Sequence, residues 1–81
     1  MSTYDRLLAR GIRVRDVVIA PELDGSTLAQ VTRLHFEYAM VRYASGATRG
    51  YLPELLSPAP ESEREQYNAA VAAQDPWRAE G

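Results

Sequence analysis

The chain contains no cysteine and no lysine, and only one histidine, one tryptophan and one phenylalanine. Without cysteine there is no disulfide to staple the fold, and no thiolate to bind metal or attack a substrate. A single histidine, His35, excludes any multi-histidine metal site. No apolar run approaches the roughly 20 residues that cross a bilayer, so no membrane partner is expected. Met1 to Arg10 carries charges where a signal peptide has its apolar stretch, which predicts a protein of the cytoplasm, that of its producing cell or of a host cell. A strong charge of either sign is also missing. Nine basic residues, all arginine, face eleven acidic ones for a net charge of −2. A weakly acidic chain is a poor generic binder of phosphate backbones. There is no glycine-rich phosphate loop, dinucleotide fingerprint or Glu-x-x-His helix, and no cofactor is expected.

What the sequence does contain is a globular balance, 46% hydrophobic and 25% charged, in 81 residues. That is one domain, too short to bury a large fraction of its surface. Ser2, with Asp5 three positions on, reads as a helix cap, and Tyr4, Leu7 and Leu8 as one apolar stripe. Gly11 suits the left-handed residue that ends such a helix. From Ile12 the period drops to two and predicts a strand running to Pro21, with a bulge near Asp16. Asp24-Gly25 and Ser45-Gly46 are turn signals. They separate strands predicted at Thr27 to Leu34, Glu37 to Tyr43 and Thr48 to Leu52. Pro53 to Leu56 suits a 3₁₀ turn returning two leucines to the core. Val14, Val31, Val41, Tyr43 and Leu52 hold the inward phase and are expected to be buried. After the stiff Ser57-Pro58-Ala59-Pro60 linker, Ser62 with Glu65 predicts a capped helix over residues 61 to 74. No pattern is assigned around Trp77.

Three runs resemble KOW, Tudor and related SH3-like domains. Gly11-Ile12-Arg13-Val14-Arg15 resembles their first strand. Val41-Arg42-Tyr43-Ala44-Ser45-Gly46 is similar to their central hairpin. Leu52-Pro53-Glu54-Leu55-Leu56-Ser57-Pro58 resembles their closing segment. The resemblance implies a mainly β fold with flanking helices: an N-terminal helix over residues 1–10, an SH3-like five-stranded small barrel over 11–58, and a linker with a C-terminal helical tail over 59–81. This barrel is reused for many tasks and specifies architecture better than function. Tudor-type readers capture methylated cations in an aromatic cage. Phe36, Tyr38, Tyr43 and Tyr51 are the aromatic residues at hand, but Tyr43 shares the inward phase of Val41 and leaves the cage incomplete.

No catalytic or metal-binding residues are assigned. A Ser26–His35–Asp24 triad has no spacing argument behind it. Asp16, Glu22, Asp24 and Glu37 are carboxylates of the kind that hold hard cations but more often face water. Binding remains. Tyr38, Met40 and Arg42 stand in file on the outward phase of the third strand, with Phe36 just before them, and these residue types are enriched at interfaces. The reading is therefore a non-enzymatic protein-interaction module, a small cytoplasmic regulator, adaptor or inhibitor that occupies a surface of another protein or of a second copy of itself. The alternative is a nucleic-acid-associated accessory factor using Arg6, Arg10, Arg13 and Arg15. Third comes an oligomeric enzyme with its site at a symmetry axis.

Overall fold

The structure, a computed structural model, describes residues 2–74; the end of the tail, with Trp77, lies outside the described residues. The protein is mainly β, with one five-stranded antiparallel sheet and two helices. Helix α1 is Thr3–Ala9, and the strands are β1 Val17–Leu23, β2 Ser26–Leu34, β3 Ala39–Tyr43, β4 Thr48–Tyr51 and β5 Ser57–Pro58. A 3₁₀ turn at Pro53–Leu55 joins β4 to β5, and helix α2 is Glu61–Gln74. The sheet order is β4-β3-β2-β1-β5. The two outermost strands are not hydrogen-bonded to each other, so the sheet is open rather than closed into a barrel.

Helix α1 is fixed at both ends by local chemistry. The Ser2 hydroxyl accepts from the Asp5 amide at 3.2 Å and donates to the Asp5 carboxylate at 3.0 Å. At the other end Gly11 takes φ +77°, which lets its amide reach Leu8 O and the Ile12 amide reach Leu7 O, both at 2.9 Å. This Schellman closure brings Ile12 and Leu7 into the same buried cluster. The apolar stripe differs from the sequence reading: Leu7 and Thr3 are buried, whereas Tyr4 and Leu8 face outward.

The first strand is the main correction. Residues 12–16 alternate like a strand but form a turn. Asp16 accepts the Arg13 amide on its carboxylate at 2.9 Å, its own amide reaches Arg13 O, and Arg15 sits at φ 84°. A positive φ at a non-glycine residue interrupts any extended run. Val14 is accordingly only half-buried. Strand β1 then continues through Pro21 instead of stopping there. Pro21 falls in the stretch between Ile19 and Leu23 where the register with β2 shifts, and β5 pairs only with Val18 and Ile19, so neither ladder needs its missing N–H. The β1–β2 hairpin closes at Asp24 (φ 52°) and Gly25 (φ 81°), the pair of left-handed residues a tight two-residue turn demands.

Each face of the sheet has its own core. Val18, Ala29, Val31, Val41 and Tyr43 point to one side and are buried with Leu7, Ile12 and Leu56. Val31, Val41 and Tyr43 are thus buried as expected, but Leu52 is 48% exposed. Of the two leucines expected to return to the core, Leu56 is buried and Leu55 is 53% exposed; Pro53 fills the space on its side of the turn. The opposite face carries a smaller cluster, Val17, Ala59 and Tyr67, with Ile19, Leu28, Ala44 and Val71 against it. Helix α2 covers it and has the predicted bounds, but a different cap. Pro60 O accepts the Glu63 and Arg64 amides at 3.0 Å each, so the helix begins at Glu61 and Ser62 lies inside its first turn.

Candidate functional site

The connection between β2 and β3 is four residues, His35 to Tyr38, closed by the His35 amide on Tyr38 O at 2.9 Å. It is also tied from outside. The Thr3 hydroxyl, buried at the start of α1, donates to His35 O at 2.7 Å, with a longer contact to Phe36 O at 3.4 Å. The His35 ring stacks on Tyr38, centroids 4.7 Å apart and planes 14° from parallel. A loop held at both its backbone and its rings then presents Phe36 almost wholly to water, 90% exposed. Such a ring left outside a core is the kind of surface feature that calls for explanation.

Beside Phe36 lies a cleft of about 330 Å³. Ser2, Thr3, Tyr4 and Arg6 contribute one side, and Leu34, His35, Phe36 and Glu37 the other. Tyr4 is 52% exposed there. Arg6 is committed elsewhere: its guanidinium grips the Glu54 carboxylate in the 3₁₀ turn, with Nε to Oε1 at 3.0 Å and Nη2 to Oε2 at 2.6 Å. The hydrogen bond to Arg6 holds the Glu54 carboxyl below its usual range, and the same bond raises Arg6, with Glu37 adding a smaller pull.

The row on the third strand divides in three. Its neighbours Ala39, Val41 and Tyr43 take the buried phase. At the Arg42 end the Tyr67 hydroxyl of α2 donates to Arg42 O at 2.8 Å, and the side chain is half-buried. Met40 is half-buried too, and Tyr38 is 39% exposed. The Tyr38 ring lies against Gly50 of β4: a Cβ added there would stand 2.5 Å from Tyr38 Cδ2 and 3.3 Å from Met40 Sδ. Glycine at position 50 is what admits the ring.

The four N-terminal arginines are put to different uses. Arg6 is ion-paired, and Arg10 Nε donates to Leu56 O at 2.9 Å. Arg13 and Arg15 are exposed in the turn closed by Asp16. The aromatic residues weighed as a cage are likewise separated. The Tyr43 hydroxyl donates to Pro21 O at 2.5 Å and meets the Tyr51 hydroxyl at 2.8 Å, inside the larger core, while Phe36 stands in the loop. Among the described residues no three His, Asp or Glu side chains gather as a metal site would require, and no helix is long and apolar enough to cross a membrane. Sequence reasoning missed Tyr4 and Leu34 as lining residues. The available signal was Thr3, four residues before Leu7, which marks the buried stripe of α1 and turns Tyr4 outward. Compared with known proteins, the chain matches no protein family, no curated protein and no solved structure at a significant level.

Proposed function

We propose that this chain is a non-enzymatic protein-interaction module, a small regulator, adaptor or inhibitor, carried on an SH3-like small-barrel scaffold. The strand order β4-β3-β2-β1-β5, with a 3₁₀ turn between β4 and β5, supports the scaffold reading, since the resemblance in the sequence implies that closing segment. The observation that carries the function is Phe36, an apolar ring held 90% exposed on a loop that Thr3 and the His35–Tyr38 stack keep in place. A rigid aromatic anchor spends little entropy on binding, and such anchors dominate interface energies. Tyr38 and Met40 extend the surface from the same loop onto the sheet.

The test is quantitative capture from extract of the producing cell, comparing the natural chain with Phe36→Ala. The substitution is expected to leave the melting temperature unchanged and to cut specific capture by about tenfold or more, as the loss of an anchor worth roughly 2 kcal/mol implies. Capture independent of Phe36 would remove the proposal. Binding to heparin that weakens steeply with salt would favour the nucleic-acid alternative instead, with Arg13 and Arg15 the residues to substitute next.

A further inference from the structure

The sheet carries its charge unevenly. Strands β2, β3 and β4 contain Arg33, Arg42 and Arg49 and no Asp or Glu. Register places two of these arginines on the face turned away from the larger core: Arg33 stands opposite Met40, and Arg42 opposite Gln30. Arg49 stands opposite Val41, in the other phase. Among the described residues neither Arg33 nor Arg42 has an ion pair or a side-chain hydrogen bond, whereas Arg6 and Arg10 are both engaged. Met40 is half-buried in the same file, with Tyr38 beside it over Gly50. We propose that this face binds an extended acidic segment of a partner protein, whose carboxylates the guanidinium groups of Arg33 and Arg42 grip. The inference rests on the reading of the chain as a protein-interaction module and names the chemistry of its partner.

Charge and spacing select this occupant. The row of Arg33 and the row of Arg42 are two residues apart along β3, and a strand returns to the same face at that step, about 6.8 Å. An extended segment laid along β3 repeats its own side chains at the same interval, so carboxylates two positions apart meet both arginines. Arginine suits the task, because its planar fork takes a carboxylate through two N–H donors at once. The protein's own groups leave the arginines free. Glu37, the one carboxylate between Ser26 and Tyr51, lines the cleft beside α1. Gln30 gives its amide to Arg15 O at 2.9 Å. The cluster under α2 takes Val17, Ile19 and Leu28, and the helix reaches β3 through the Tyr67 hydroxyl on Arg42 O, not through the guanidinium. A nucleic acid fits this face less well. Its charge continues along the whole backbone, and α2 brings Glu61, Glu63 and Glu65 to the same side of the sheet. The Tyr38 ring is already stacked on His35 and set against Gly50, which makes it a poor platform for a base. A protein segment places two carboxylates on the arginines and needs no charge facing α2.

The experiment is titration of the full chain with a fluorescent peptide that alternates glutamate and serine, read by anisotropy at low and at physiological salt. Saturable binding that weakens with salt is expected, and none to the same peptide with glutamine in place of glutamate. Arg42→Gln, at a half-buried position, should weaken binding by about tenfold and Arg33→Gln by about threefold. Arg49→Gln removes the same charge from the other phase and should weaken it by less than about twofold. Arg42→Lys keeps the charge, loses the fork and should fall between the natural chain and Arg42→Gln. Arg33 is exposed, so Arg33→Gln should leave the melting temperature unchanged and reports on binding even if Arg42→Gln loosens the fold. No saturable binding, or equal effects of Arg33→Gln and Arg49→Gln, overturns the proposal. Two other occupants would overturn it as well. One is shown by a mixed-sequence single-stranded DNA that displaces the peptide from the same arginines. The other is shown by a sedimentation mass above 9.0 kDa that falls on Arg33→Gln, which would seat the acidic helix of a second copy there. The two readings fail separately: a chain that ignores the peptide but captures a protein through Phe36 keeps the interaction module and loses only its acidic partner.

Discussion

Each of the two cores takes in one helix, through Leu7 in one and Tyr67 in the other, and the shorter helix is tied at more points. Helix α1 has seven residues, and α2 fourteen. Yet α1 is capped by Ser2, closed by Gly11, ion-paired to the 3₁₀ turn through Arg6, and tied to the β2–β3 loop through Thr3. It joins a core fed from both ends of the chain, from Leu7 to Leu56. Helix α2 begins on a proline carbonyl and reaches the sheet chiefly through Tyr67, with Val71 only partly buried. Isolated helices of either length are marginal in water, so each exists by what it packs on. In this molecule anchorage at the ends counts for more than length.

The largest test of that contrast sits in two adjacent leucines. Leu56→Ala should cost about 2–5 kcal/mol in denaturant unfolding, because it empties a fully buried position where β5 meets the larger core. Leu55→Ala, half in water, should change stability by no more than about 0.5 kcal/mol. Equal effects would mean that the 3₁₀ turn is not oriented as described.

The next is Tyr43. Burial first, and then the hydrogen bond with Tyr51, push its phenol well above the ordinary 10.0. An unfolded chain releases this proton near pH 10, whereas the folded chain keeps it. The folded state therefore binds more protons above that point, and stability falls as pH rises beyond about 10, having been fully present below it. Tyr43→Phe should cost roughly 1–3 kcal/mol at neutral pH, since Pro21 O and the Tyr51 hydroxyl lose a buried partner, and should flatten the alkaline decline. A variant as stable as the natural chain at pH 7 would show that the hydroxyl network contributes nothing.

The smallest compares the helix starts. Ser2→Ala should lower stability by about 1 kcal/mol, because Ser2 occupies a cap. Ser62→Ala should lower it by less than about 0.5 kcal/mol, because Ser62 lies past the helix start and caps nothing. Thermal melts of the two variants would invert this order if α1 frays and α2 carries the fold.

Where short-range chemistry decides, the sequence is readable. Asp24-Gly25 and Ser45-Gly46 turn the chain where they should, with Asp24, Gly25 and Gly46 at positive φ. Alternation on β2 and β3 places Val31, Val41 and Tyr43 inside. It misleads at residues 12–16, where Ile12 is buried by the end of α1 rather than by a strand, and where one carboxylate, Asp16, closes a turn that periodicity cannot register. Pro21 reads as a stop because a lone sequence does not reveal that its nitrogen faces no partner. The capping-box pattern at Ser62 and Glu65 loses to Pro60 two residues earlier, whose carbonyl accepts the first amides of the helix. The cleft is the least legible part. It joins residues 2–6 to residues 34–37, brought together by tertiary contacts such as the hydrogen bond from Thr3 to His35.

The open sheet leaves two rims, and both are poor templates for adding strands. At one, β5 is two residues long and ends in Pro58, which has no hydrogen to offer a newcomer. At the other, β4 is four residues long, carries the exposed charge of Arg49, and has Gly50 overlaid by the Tyr38 ring. A chain that stacked edge to edge would have to seat a strand against a proline on one flank and bury an arginine on the other. The rims thus guard a crowded solution of this protein against fibre growth.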